Sequence, residues 1–511
     1  MSKKSVALSV LAACALAPMS YSQAVTTYHY NNFRTGANTE ETILTPSNVA
    51  SGQFGKLFSL AVNGQVYAQP LYVPALTINN AVHNVLYVAT ENNDVYAFDA
   101  DAAGPALWHV NLGAAQAFCC GDLTPQVGIT STPVIDLSRM AIYVVSATQT
   151  GLGTQFTLHS LDIRTGADRV NPAVVKGSVA GTGDGSSGGV LNFNPTMHWQ
   201  RTALLLDNGI VYFAFGGHQD TPPYHGWIFA YDATSLRRLM VKCTTPNGSD
   251  GGIWQGGAGL SATGDGYIYA VTGNGTFDAS TGGSDYGMSV IKLNARQNLA
   301  VTDYFAASNE AALSNDDIDM GTTGPLLVPG ANVIVNGDKA GRMYVTNANA
   351  LGGFSATDHS LQEWQSVGPF FGTPAFYNST LYYWGTGGSM QARQLHGSTF
   401  SSPVSGPVTT TFGYEAAPAL TVSANGNQDG IVWATYPPSG LAWGPAFPGV
   451  LQAFDASNVG TLLWTSPADS TSPDYTGSWS KWCPPTVVNG KLYLATFDGA
   501  VNVYGLKAGS N

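Results

Sequence analysis

The sequence predicts an all-β protein, an eight-bladed β-propeller closed by an N-terminal strand, on three observations. Charged residues make up only 10% of the chain, against about 25% in ordinary globular domains, while glycine fills 60 of 511 positions and aromatics reach 11%. A strand–turn–strand unit recurs from end to end. Finally, one segment near the start, Phe54-Gly-Lys-Leu-Phe-Ser-Leu60, reads as a strand with no partner of its own, and the last unit lacks a fourth strand. Pairing the two would close a ring and remove its exposed edges.

The composition excludes several classes. Helical bundles and coiled coils need more Glu, Lys and Arg, acidic disordered chains carry fewer aromatics, and collagen needs a strict glycine period. A net charge of −12 leaves no basic surface for nucleic acid. No apolar stretch after the leader is long enough to span a bilayer.

The leader comes first. Lys3 and Lys4 precede the apolar run 6–18, and Ser22-Gln23-Ala24 supplies small residues at a cleavage site. Residues 1–24 therefore read as an export signal, which predicts a periplasmic or secreted protein. Leu11-Ala12-Ala13-Cys14 also resembles a lipobox, which would make Cys14 a lipid anchor, but the apolar run before it is short and simple export is preferred. Residues 25–53 form an N-terminal extension, 54–507 the propeller and 508–511 a tail.

The repeat is clearest at Val85-Leu-Tyr-Val-Ala-Thr, followed by Val95-Tyr-Ala-Phe-Asp99 and Leu107-Trp108. It returns at Ile142 with Asp162, Val211 with Asp232, Ile268 with Asn294, Val333 with Met343, Leu381, Ile431 with Asp455, and Leu492 with Tyr504. That makes eight units. The competing arrangement, two β-sandwiches, leaves the Asp…Trp recurrence and the unpaired early strand without a role. In two units Ala-x-Asp is followed by Gly and Trp: Ala97, Asp99, Gly104 and Trp108, then Ala453, Asp455, Gly460 and Trp464. The Trp is expected to pack on the neighbouring blade, with the Gly allowing the turn before it.

This Ala-x-Asp…Gly…Trp repeat resembles that of the quinoprotein alcohol dehydrogenases, eight-bladed enzymes that use pyrroloquinoline quinone (PQQ). The resemblance covers essentially the whole chain after the leader, and fold alone does not fix function. It implies roles for particular residues. Cys119 and Cys120 stand where the family has a vicinal disulfide over the quinone; the alternative, one of them bridging Cys243 or Cys483, stays open. Adjacent Cα atoms lie below the usual disulfide span, so such a ring is strained. Trp254 stands where a Trp underlies the quinone, although a lone Trp favours core or rim packing.

Asn274, in Thr272-Gly-Asn274-Gly, matches a calcium-binding Asn, and Asp220 falls near a calcium-binding Glu with its register uncertain by a residue or two. Carboxylate and amide oxygens suit Ca²⁺. A turn Asn and a surface Asp are the plainer readings. Asp316-Asp317-Ile318-Asp319 resembles the family's Asp-x-Trp-Asp, whose last member is the catalytic base and a metal ligand. That places the base at Asp319, with Ile318 in place of Trp; the plainer reading is a solvated acidic loop. Gly321 stands where lanthanide-type relatives carry another Asp, which favours Ca²⁺. Lys339, in Gly337-Asp-Lys339-Ala-Gly, matches a cation that contacts the quinone oxygens, or else is a charged β-turn.

Two features depart from the family. No Arg follows the Cys pair to grip a PQQ carboxylate, and the glycine-rich stretch 181–189 has no counterpart and no phosphate-binding Lys. The expectation is an exported PQQ- and Ca²⁺-dependent dehydrogenase oxidising an alcohol, sugar or aldehyde, with electrons passing to a separate acceptor such as cytochrome c. A non-catalytic propeller serving as scaffold or carbohydrate-binding protein is the second reading. A polysaccharide hydrolase or lyase using His218 or His225 is the third.

Overall fold

The structure is a computed structural model that describes residues 23–117, 123–408, 413, 415–441 and 446–508. The leader with Cys14, and the pair Cys119 and Cys120, lie outside the described residues. Eight antiparallel sheets carry the repeat, and apart from two short helices and a few single helical turns the described residues are strand and loop. The innermost strands are Leu71–Ile78, Val134–Asp136, Leu205–Asp207, Ser261–Ala262, Leu326–Val328, Ala375–Tyr377, Ala419–Asn425 and Thr486–Val488, in blades 1 to 8. In blade 8, Phe54–Ala61 pairs antiparallel with Ala500–Leu506, so one sheet joins both ends of the chain. Among the described residues no helix is long and apolar enough to cross a membrane.

Neighbouring blades are joined by a repeated hydrogen bond. The tyrosine in the middle of a second strand donates its hydroxyl to the carbonyl that follows the Asp or Asn at the end of the next blade's third strand. Tyr87 reaches Ile163, Tyr143 reaches Ala233, Tyr269 reaches Ala348, Tyr382 reaches Ala456, and Tyr493 crosses the chain-end junction to Ala100. This is why a tyrosine, an apolar ring with a polar tip, recurs in the units. The tryptophan of the repeat packs between blades as expected, but its glycine is a different one. Trp108 donates to Ile163 O at 2.9 Å and lies against Gly166 of blade 2, where a Cβ would come within 2.6 Å of the indole. Gly104 has open space around it and no left-handed backbone, so the turn before Trp108 does not require it.

The N-terminal extension does more than lead in. Residues 25–38 circle the channel in blade order and bond to the innermost strand of every blade. Val25 exchanges two backbone bonds with Tyr72, Thr26 O accepts from Ile135, and the Asn32 side chain donates to Leu206 O. Asn32 O, Phe33 O, Thr35 O and Gly36 O accept from Ala262, Leu327, Phe376 and Val422. Asn38 and Tyr30 close the circuit on Val487 of blade 8. Ala37–Asn38 also pairs parallel with Ala419–Asn425. At the centre sits Arg34, fully buried, donating to Leu260 O, Thr27 Oγ1, Tyr28 O and Leu204 O.

Removing these donors strands several buried acceptors. Arg34→Met is expected to destabilise the protein by about 3 kcal/mol, since hydrogen bonds from a charged group are worth roughly 1.5–3 kcal/mol each and loss of a buried cation returns part of that. Urea unfolding of the variant beside the parent chain measures it.

Candidate active site

The channel end opposite this floor is walled by residues that immediately precede the innermost strands or follow the second ones. Trp199, Arg201, Asp220, Trp254, Asp319, Lys339, Phe371, Glu415 and Trp482 surround a narrow cavity of about 70 Å³. Of the residues singled out in the sequence, Asp220, Trp254, Asp319 and Lys339 meet here, and Asn274 lies behind Asp319.

Trp254 is held flat by bare backbone. It donates Nε1 to Gly217 O at 3.0 Å, and a Cβ on Gly216, Gly252 or Gly273 would approach its ring to 2.4–2.6 Å. A Cβ on Gly273 would also meet Asp319 Oδ1 at 2.3 Å. The Gly of Thr-Gly-Asn is therefore a packing requirement of the indole and the carboxylate together.

Asp319 begins the helical turn Met320–Thr322 and is buried. Its Oδ1 accepts from Asn274 N at 2.7 Å, and its backbone carbonyl accepts from Lys339 N at 3.0 Å. Desolvation lifts its carboxyl to about 7; Lys339 and the Asn274 bond pull it down, and Asp220 and Asp317 push it up. The cation demanded by the acidic loop is Lys339, whose Nζ lies 2.7 Å from Asp317, 3.6 Å from Asp319 and 3.8 Å from Glu415. The tight turn after Val333–Gly337 brings it there. Asp316 is exposed at the surface. Asp220 accepts from Tyr224 OH at 2.8 Å and is itself raised by burial.

Besides Trp199 and Phe371, four site residues were not visible in the sequence: Arg201, Glu415, Lys481 and Trp482. Arg201 lies 4.2 Å from the Trp482 ring and 4.9 Å from that of Trp199, and its Nε donates to Trp254 O. Lys481 lies 4.6 Å from the Trp482 ring. Glu415 is raised to about 7 by burial, against the pull of Lys339, Arg201 and Lys481. All four stand just before an innermost strand, at the edges of units where no motif marks them.

Other sequence candidates fall elsewhere. His218 and His225 are buried, His225 bonding Thr245 Oγ1 and Asp184 O, and burial lowers His218 to about 4. Neither offers an open acid or base, which removes the observation behind a hydrolase. Cys243 and Cys483 are buried free thiols. The glycine-rich stretch is the connection of a small hairpin, Ser178–Ala180 with Val190–Asn192, whose Gly181 and Gly183 lie against Pro246 and Gly248.

Against this geometry the comparisons can be placed. No family model and no curated protein matches the chain. Solved structures do. A europium-containing methanol dehydrogenase aligns over 96% of this chain and 99% of its own at a TM-score of 0.62 and 13% identity. Quinohemoprotein alcohol dehydrogenase from Comamonas testosteroni covers 96% and 81% at 0.60 and 13%. The protein has the fold of the quinoprotein alcohol dehydrogenases. BamB from Moraxella catarrhalis also aligns, over 90% of this chain and 99% of its own, at a TM-score of 0.50 and 13% identity.

Does a quinoprotein-type centre fit these residues? Asn274 Oδ1 is buried and accepts no hydrogen bond, an orphan that a cation would satisfy. With Asp319 and Asp220 nearby, it offers the hard oxygens that Ca²⁺ prefers. Among the described residues no three His, Cys, Asp or Glu side chains are grouped so that they could hold a metal ion.

A buried acid outside this set also reports on the channel. Glu91 accepts from Gly128 N through Oε2, leaves Oε1 without a partner, and is lifted by desolvation to about 7. Its folded value lies above its unfolded value of 4.5, so the folded chain holds the extra proton between the two. Stability from this group is greatest at acidic pH and is lost as pH rises through about 7. The melting temperature should fall between pH 5 and 8, and Glu91→Gln should flatten that slope.

Proposed function

We propose that the protein is a PQQ- and Ca²⁺-dependent dehydrogenase that oxidises an alcohol, sugar or aldehyde and passes electrons to a separate acceptor such as cytochrome c, after export to the periplasm or beyond. The observation that carries the reading is the meeting of Asp319, Asn274, Asp220 and Lys339 around Trp254. Asp220, Asn274 and Asp319 would hold the ion, and Trp254 would support the quinone. When bound, the quinone supplies the hydride acceptor and the ion polarises it.

The chain's own residues do the rest. Asp319 takes the substrate hydroxyl proton on the oxygen that does not face Asn274 N. Lys339 holds positive charge beside the cavity and stabilises negative charge that develops there. Arg201, stacked between Trp199 and Trp482, stands as the cation for an anionic group of a ligand, the task for which no Arg follows the Cys pair. Cys119 and Cys120 are proposed to cover the quinone from the other side.

The narrowness of the cavity favours a second reading. About 70 Å³ among the described residues holds a few water molecules rather than a three-ring cofactor. A non-catalytic propeller acting as scaffold or carbohydrate-binding protein follows from that.

One assay separates the two. Titration with PQQ and Ca²⁺ should quench the fluorescence of the channel tryptophans, and the loaded protein should reduce a dye over a panel of alcohols and sugars. Asp319→Asn should cut dye reduction by about 100-fold or more while quenching persists. Absence of both quenching and dye reduction in the parent chain selects the scaffold.

A further inference from the structure

Charge is not spread evenly over the ring. Acids prevail in the chain as a whole, yet between residues 131 and 243, the span of blades 2 and 3, Lys and Arg slightly outnumber Asp and Glu. Arg139, Arg164, Arg169 and Arg237 stand in connections from first to second or third to fourth strands. Those connections lie at the end of the blades away from the channel cavity, whose residues precede first strands or follow second ones.

At that end blades 2 and 3 leave a cavity of about 200 Å³ between them. Arg139, Ser160, Arg169, Val170, Ala233 and Thr234 are among its walls and, among the described residues, no Asp or Glu lines it. In blade 1, Leu107 N donates to Ala97 O and the next residue is Trp108; in blade 2, Arg169 N donates to Ser160 O and the next residue is Val170. A valine where blade 1 has an indole keeps the space open. The acids stand behind the arginines. Asp136 accepts from the backbone N and Nη1 of Arg139, and Thr234 Oγ1 accepts from its Nε. Asp162 accepts from Arg164 and from Nη1 of Arg169, so one carboxylate serves two guanidiniums. Asp168 pairs with His159. Nη2 of Arg139, and Nε and Nη2 of Arg169, bond to nothing among the described residues, and both side chains are little more than one-third exposed.

We propose that this cavity binds a tetrahedral oxyanion, a phosphate or sulfate group. Two guanidinium forks from separate turns reach such a group from different directions, and charge-assisted bonds of this kind are strong. The carboxylates behind them hold the forks in place before the ligand arrives, which lowers the ordering cost of binding. The volume lies below the roughly 300–1,000 Å³ of sites that enclose a whole small molecule, so it suits a single ionic group. The site is separate from the channel and does not rest on the function proposed for it.

Isothermal titration of the full chain with sodium phosphate, at an ionic strength held constant with sodium chloride, should show a saturable site for which sulfate competes. Arg169→Gln should weaken phosphate binding about 10-fold, the loss of a hydrogen bond from a charged group, while the melting temperature holds. Arg169→Lys, which keeps the charge and loses the fork, should fall between the two. The channel also holds an arginine, so Arg201→Gln is the control and should leave this titration unchanged. Ribose 5-phosphate binding at least as tightly as inorganic phosphate assigns the group to a larger molecule, and weaker binding assigns the free ion. The proposal is overturned by the lack of saturable binding, by binding indifferent to Arg169→Gln, by binding lost in Arg201→Gln, or by acetate bound as tightly as phosphate.

Discussion

Everything in the ring leans on the hydrogen bonds between residues 25–38 and the eight innermost strands. A propeller brings eight strand edges to one axis, and each presents backbone donors and acceptors that no further strand can pair. The N-terminal segment supplies partners to all eight while making one circuit of the channel. Its side chains finish what its backbone cannot, with Arg34 collecting carbonyls from blades 3 and 4 and Tyr30 engaging blade 8. The next part of the same segment, Phe54–Ala61, then completes blade 8. The first 40 or so described residues thus tie the inner edges together and join the two ends of the ring.

A fixed floor is what gives the opposite end its shape. Arg201, Phe371 and Trp482 each stand within a few residues of an innermost strand, and Asp319 lies one short turn before another. Once those strands are held in register, short connections have little freedom, and their side chains must point into the shared space. The 10% charge of the chain is therefore unevenly spent, with one lysine facing three carboxylates inside a mostly apolar barrel of blades.

How much of this could be read from the sequence follows from what repeats. The blades, the early strand and the order Trp254, Asn274, Asp319, Lys339 lie inside or beside periodic units, and the periodicity located them. Arg201, Glu415, Lys481 and Trp482 converge only through ring closure, which no local pattern encodes. The same distinction explains Gly104 and Gly166. Gly104 precedes Trp108 in every reading of the unit, but the indole presses on Gly166 one blade away, a contact between units rather than within one. The floor was invisible for the same reason: residues 25–38 have no repeat, and each bonds to a different blade.

The electrostatics of the cavity divide it in two, and the division constrains any ligand. Glu415 is drawn down by three cations, Lys339, Arg201 and Lys481. Asp319 has Lys339 as its chief positive neighbour, shares it with Asp317, and also faces Asp220. One wall therefore carries a surplus of positive charge, and the other a deficit that only a proton or a bound cation can relieve in so dry a setting. The unpartnered Asn274 oxygen lies on the deficient side, behind Asp319. An anionic ligand lying on Trp254 would meet its countercharge at Arg201, while a metal ion would take the opposite wall with Asp319. The cavity is thus polarised, with positive charge gathered on the Glu415 side and a deficit of it at Asp319.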